Sequence, residues 1–128
     1  MALGIDTFTF DCADPMHVAS FWAEALGFRM DPESDQEGAF LEDPSGSTRG
    51  LYFQPVPEPK VAKNRIHPDV RPTESMAAEV ERLEGLGASV VSRVDVEGSF
   101  WTVMLDPEGN EFCVLRGPED GWTPPSHE

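Results

Sequence analysis

Asp106-Pro107-Glu108-Gly109-Asn110-Glu111-Phe112-Cys113-Val114 decides the fold, because its first four residues have a forerunner in Asp43-Pro44-Ser45-Gly46. In such a turn the aspartate accepts backbone N–H groups, proline fixes φ, and glycine takes conformations closed to other residues. A run of strand formers leaves each turn, Gly50 to Gln54 in the first case and Glu111 to Arg116 in the second. Further upstream, Leu26-Gly27 and Leu86-Gly87 recur at nearly the same spacing, each closing an apolar helical stripe. The chain is written twice, and neither half has strands enough to hide its own apolar face and its helix.

Each half reads strand, helix, strand, strand, strand. In the first, residues 4–12 alternate and carry β-branched and aromatic types, with Phe8 and Phe10 on one face and Ile5, Thr7 and Thr9 on the other. Asp14-Pro15 opens a helix whose stripe is Val18, Phe21, Trp22 and Ala25. Strands follow at 28–30, 39–42 and 50–54. Pro55, Pro57 and Pro59 then mark residues 55–63 as a semi-rigid linker. In the second half, Arg65 to Val70 reads as a strand and Pro72-Thr73-Glu74 as a helix start, with Ala77, Val80, Leu83 and Leu86 as the stripe. Strands at 89–94, 99–105 and 111–116 complete it. A loosely held tail is expected over 118–128, with Trp122 available to dock it.

The whole chain has 128 residues and is 39% hydrophobic, which suits one compact domain with a real core. Nine basic against 24 acidic residues give a net charge of −15. That field repels phosphate backbones and anionic lipid, so neither nucleic acid nor membrane is an expected partner; a cationic ligand is favoured. No apolar run has the length of a spanning helix, and a soluble cytoplasmic protein is expected. Cys12 and Cys113 are too few for a disulfide scaffold and read as reduced thiols.

The paired Asp-Pro-x-Gly turns, the Phe-Trp-x-x-x-Leu-Gly helix and the stretch Lys63-Asn64-Arg65-Ile66-His67-Pro68-Asp69 resemble the vicinal oxygen chelate superfamily. That group includes glyoxalase I, extradiol dioxygenases, fosfomycin-resistance enzymes and bleomycin-binding proteins. The chain looks most like the small actinobacterial glyoxalase-like domain members. The resemblance spans residues 3–117. It implies an α+β fold of two tandem βαβββ modules, residues 3–54 and 64–117, forming a cup-shaped mixed β-sheet with flanking helices around a ligand. It implies a homodimer too.

Metal-dependent members of that superfamily place ligands on the first and last strand of each module, which carries over here to Thr7, Leu51, His67 and Glu111. Only His67 and Glu111 bring donors suited to Zn, Ni, Fe or Mn. His17 on the first helix and His127 in the tail are poor substitutes. The expectation is therefore no resident cofactor, with His67 and Glu111 meeting as a polar pair, an acid/base dyad or an incomplete divalent-metal site. Thr7, Thr9, Leu51, Phe53, Asp69, Trp101 and Cys113 are expected to line the cup, although alternation leaves open whether Trp101 or Phe100 faces it. The reading that follows is a metal-independent small-molecule binder of sequestering or resistance type, for a cationic or aromatic compound. Two alternatives stand beside it. One is a metal-dependent lyase, isomerase or dioxygenase acting through His67 and Glu111, and the other is a non-catalytic interaction module.

Overall fold

The computed structural model describes residues 2–48 and 50–125, so His127 lies outside the described residues. The chain divides into two compact units with the boundary between Val61 and Ala62. The first holds β1 (Phe8–Cys12), α1 (Pro15–Leu26), β2 (Arg29–Met30), β3 (Ala39–Glu42) and β4 (Gly50–Pro55). The second holds β5 (Asp69–Val70), α2 (Met76–Leu86), β6 (Ser89–Val96), β7 (Ser99–Leu105) and β8 (Glu111–Leu115). Each sheet has four strands, ordered β1-β4-β3-β2 and β5-β8-β7-β6. In both, the first strand is the parallel partner of the last, and the remaining pairs are antiparallel. The two βαβββ modules and the α+β class are as expected.

Both helices end where glycine allows it: Gly27 and Gly87 sit at φ 70° and 117°. The Asp14 carboxylate accepts the His17 N–H at 3.2 Å and the Gln36 side-chain amide at 2.9 Å, while the Gln36 carbonyl oxygen accepts the Met16 N–H. The Gln36 bond, then the His17 bond, hold this carboxyl below its usual 3.8. A carboxyl depressed on folding stabilises above its unfolded value, and that contribution is lost as pH falls through the folded one. Asp14→Ala is therefore expected to lower the thermal midpoint at neutral pH and to change nothing well below pH 3.8. Melting curves across that range check it; an equal deficit at both ends would sink the cap's role.

Apart from shifts of one or two residues at other strand ends, among them Pro55 joining β4, three boundaries differ from expectation. β1 starts at Phe8, which leaves Thr7 just outside it. β5 keeps only Asp69 and Val70 of the expected 65–70 strand, because the chain bends at Arg65 and Ile66 and Pro68 has no N–H for a ladder. α2 starts at Met76 with Ser75 accepting from Ala78 N–H, not at Pro72. The segment before it is engaged by the chain's end, where the Glu74 carbonyl accepts the Glu119 N–H. The end of the chain is correspondingly held as far as Trp122. The Asp120 carboxylate accepts from Met76 and Gly117 N–H groups, and Arg71 lies 3.9 Å over the Trp122 ring.

Side-chain alternation then sorts each sheet into a face under its helix and a face away from it. In the first unit Phe10, Phe53 and Trp22 pack together, with ring centroids 4.9 and 5.9 Å from Phe10. That places Phe53 and Leu51 with Ala39 and Leu41 on the α1 side. In the second unit the buried Thr102 hydroxyl donates to the Met76 sulfur, so Thr102, Met104, Phe112 and Val114 lie under α2.

Candidate functional site

The face of the second sheet turned away from α2 is read directly from the register. Asp69 pairs with Cys113, which pairs with Val103; Leu115 pairs with Trp101; Glu111 pairs with Leu105. All seven share that face. Trp101, Val103, Leu105 and Leu115 are half-buried, Cys113 is buried, and Asp69 is exposed. Trp101, not Phe100, is thus the aromatic on this side. Phe100 falls on the α2 side, where Arg93 sits 4.6 Å from its centroid.

His67 precedes the strand and pairs with its neighbour: its Nδ1 lies 3.2 Å from the Asp69 carboxylate, both side chains being substantially exposed. Asp69 also reaches across to Cys113. Burial pushes the Cys113 thiol above its usual value, the Asp69 charge and hydrogen bond push it the same way, and Lys63 opposes them. A thiol so placed is protonated near neutrality and is a weak nucleophile. One ligand-capable atom from each of His67, Asp69 and Cys113 lies within 4.8 Å of the other two. Neither cysteine is in a disulfide.

Glu111 is engaged in a different way. Its Oε1 accepts the Asn64 N–H at 2.9 Å, and the Asn64 side-chain amide donates to Asn110 Oδ1 at 3.1 Å. Asn64 thus ties the start of the second unit to the turn that opens β8, a role the sequence reading missed although the residue stands in the quoted 63–69 stretch. The group around Asp69 takes in His67 and Cys113; Glu111 is outside it.

The first unit corrects two expectations. Phe53 is fully buried, and Leu51 shares its α1-facing side, so neither stands on the face turned away from α1. That face of β4 carries Gly50, Tyr52 and Gln54 instead, with Thr9 opposite Tyr52 and the Asp11 carboxylate accepting from Gln54. Counting two residues back from Asp69 and Cys113 reaches His67 and Glu111. The same step from Thr9 and Tyr52 reaches Thr7 and Gly50.

The glyoxalase-like domain family model matches residues 7–115. The chain belongs to that family. No match is found among curated protein sequences. Among solved structures, it is similar to a mutant fosfomycin resistance protein, FosX, from Listeria monocytogenes complexed with Mn(II) and a dihydroxypropylphosphonic acid. There the identity is 15% and the TM-score 0.71, over 91% of this chain and 92% of that one. It is similar too to a bleomycin-binding protein from Streptomyces verticillus complexed with copper(II)-bleomycin, at 20% identity and TM-score 0.60, over 91% and 99%. A glyoxalase/bleomycin resistance protein/dioxygenase family enzyme from Burkholderia phytofirmans gives 16% and 0.68, over 85% and 94%. At these identities the likeness is one of fold.

The metal centre that the superfamily resemblance implies does not fit the residues here. On the face of β4 turned away from α1 there is no imidazole or carboxylate, Thr7 has only a neutral hydroxyl, and Glu111 is held by Asn64. Among the described residues no helix is long and apolar enough to cross a membrane.

Proposed function

We propose that this glyoxalase-like protein binds a small aromatic compound carrying positive charge, against the face of its second sheet turned away from α2. It does so without the superfamily's four-position chelate. The observation that carries the reading is the half-buried patch of Trp101, Val103, Leu105 and Leu115, flanked by the carboxylates of Asp69 and Glu111. An indole with neighbouring aliphatic groups suits an aromatic ring, and carboxylates at the edge suit a cation. The chain's net charge of −15 draws such a ligand from a distance. Binding, which is all that the name of the bleomycin-binding neighbour describes, needs no chemistry beyond these contacts.

The reading is tested by calorimetric titration with metal-free bleomycin and a panel of smaller cationic aromatic compounds. Binding by at least one is expected, and it weakens as salt rises. Trp101→Ala is expected to lower that affinity about 10-fold, as loss of roughly 1.4 kcal/mol of stacking and cation–π contact would. No binding across the panel, or an affinity indifferent to Trp101, would sink it.

A further inference from the structure

We infer that His67, Asp69 and Cys113 together form a binding site for a soft divalent transition-metal ion, zinc being the natural occupant. The inference goes beyond the ligand reading, since an ion can occupy these donors with no organic ligand present.

Three different donor chemistries converge here from two adjacent strands and the segment just ahead of one of them. The imidazole Nδ1 of His67 stands 3.2 Å from an Asp69 oxygen, and one ligand-capable atom of each residue lies within 4.8 Å of those of the others. Bonds of about 2.0 Å to nitrogen or oxygen and about 2.3 Å to sulfur put tetrahedral donors roughly 3.3–3.6 Å apart, so small side-chain rotations close the set. The backbone prepares this arrangement. Asp69 and Cys113 are direct partners in the parallel ladder, and the Cys113 N–H donates to the Pro68 carbonyl at 3.0 Å. Pro68, between His67 and Asp69, stiffens the link that carries two of the donors.

The donor types choose the ion. On binding, the ion displaces the Cys113 proton to solvent, and the thiolate so formed, with an imidazole, selects zinc, cobalt or copper over manganese, magnesium or calcium, for which carboxylate and carbonyl sets are the rule. Three protein donors leave a fourth position open to water or to a ligand atom, the pattern of zinc sites that do chemistry rather than hold a fold. Cys113 is 7% exposed, so its sulfur is shielded on the protein side while His67 and Asp69 stay open to an arriving ion. The site also differs from the superfamily set: it keeps His67 and replaces Glu111 with two residues that share the face turned away from α2.

Cobalt(II) serves as the probe, titrated into the full chain under reducing, oxygen-free conditions. One equivalent is expected to produce a sulfur-to-cobalt charge-transfer band that zinc displaces and manganese does not. Cys113→Ser is expected to abolish the band, and Asp69→Asn to weaken cobalt binding about 10-fold or more, the scale typical of lost metal-site partners. Cys12→Ser is expected to leave the band intact, which separates the two thiols. Circular dichroism on each variant distinguishes a lost donor from a lost fold. Absence of the band in the folded wild-type chain overturns the inference. So does a band that depends on Cys12, or cobalt binding lost with Glu111→Gln and kept with Cys113→Ser. Because the probe is the ion alone, failure here leaves the Trp101 reading standing, and failure there leaves this one standing.

Discussion

Phe53→Ala is expected to cost about 3–5 kcal/mol of stability, the range for removing a large buried aromatic and leaving a cavity. Phe53 is fully buried, its ring 4.9 Å from that of Phe10, which in turn lies 5.9 Å from Trp22 under α1. Truncation opens space between a sheet and a helix that are each held by other contacts, so the surroundings cannot collapse into it. The midpoint of urea unfolding should fall with little change in slope. Leu51→Ala, half-buried on the same side, should cost less. A loss under about 1 kcal/mol for Phe53 would mean that the ring is on a surface rather than in a core.

Asp106→Ala is expected to cost about 2–4 kcal/mol, well beyond the effect of Asp43→Ala in the matching turn. Both carboxylates organise an Asp-Pro-x-Gly turn, but their settings differ. Asp106 is 3% exposed and accepts from the backbone N–H groups of Glu108 and Asn110 and from the Asn110 side-chain amide. Removing it strands several donors away from water, and Asn110 passes the disturbance to Asn64. Asp43 accepts from Ser45 and Thr48 at a surface where water replaces it readily. Thermal or urea unfolding of the two variants side by side checks the contrast. Equal losses would show that turn geometry matters and burial does not.

The architecture was legible because its signals are local. Asp14-Pro15, Leu26-Gly27, Leu86-Gly87 and the two Asp-Pro turns act within a few residues, where capping and backbone sterics dominate. What depends on packing was not legible. Alternation divides Leu51 and Phe53 from Tyr52 without saying which set lies under α1; the Phe10–Trp22 contact decides that. Pro72-Thr73-Glu74 has the chemistry of a helix start, yet residues 117–120 bind there and the helix begins at Met76, capped by Ser75. Cys113 was placed beside Glu111 by alternation. Its closeness to His67 and Asp69 comes from a parallel pairing that no local pattern announces.

That pairing has a consequence for how the chain is made. β5 is a two-residue strand whose ladder partner, β8, is the last strand of the chain. During synthesis His67 and Asp69 emerge early, then wait while α2, β6 and β7 are produced before Cys113 exists to meet them. The antiparallel neighbours β6, β7 and β8 join over short connections, whereas β5 must close a loop that contains α2, β6 and β7. The three donors therefore meet only through a pairing that is distant in sequence. An ion or ligand that depends on them recognises only a finished protein.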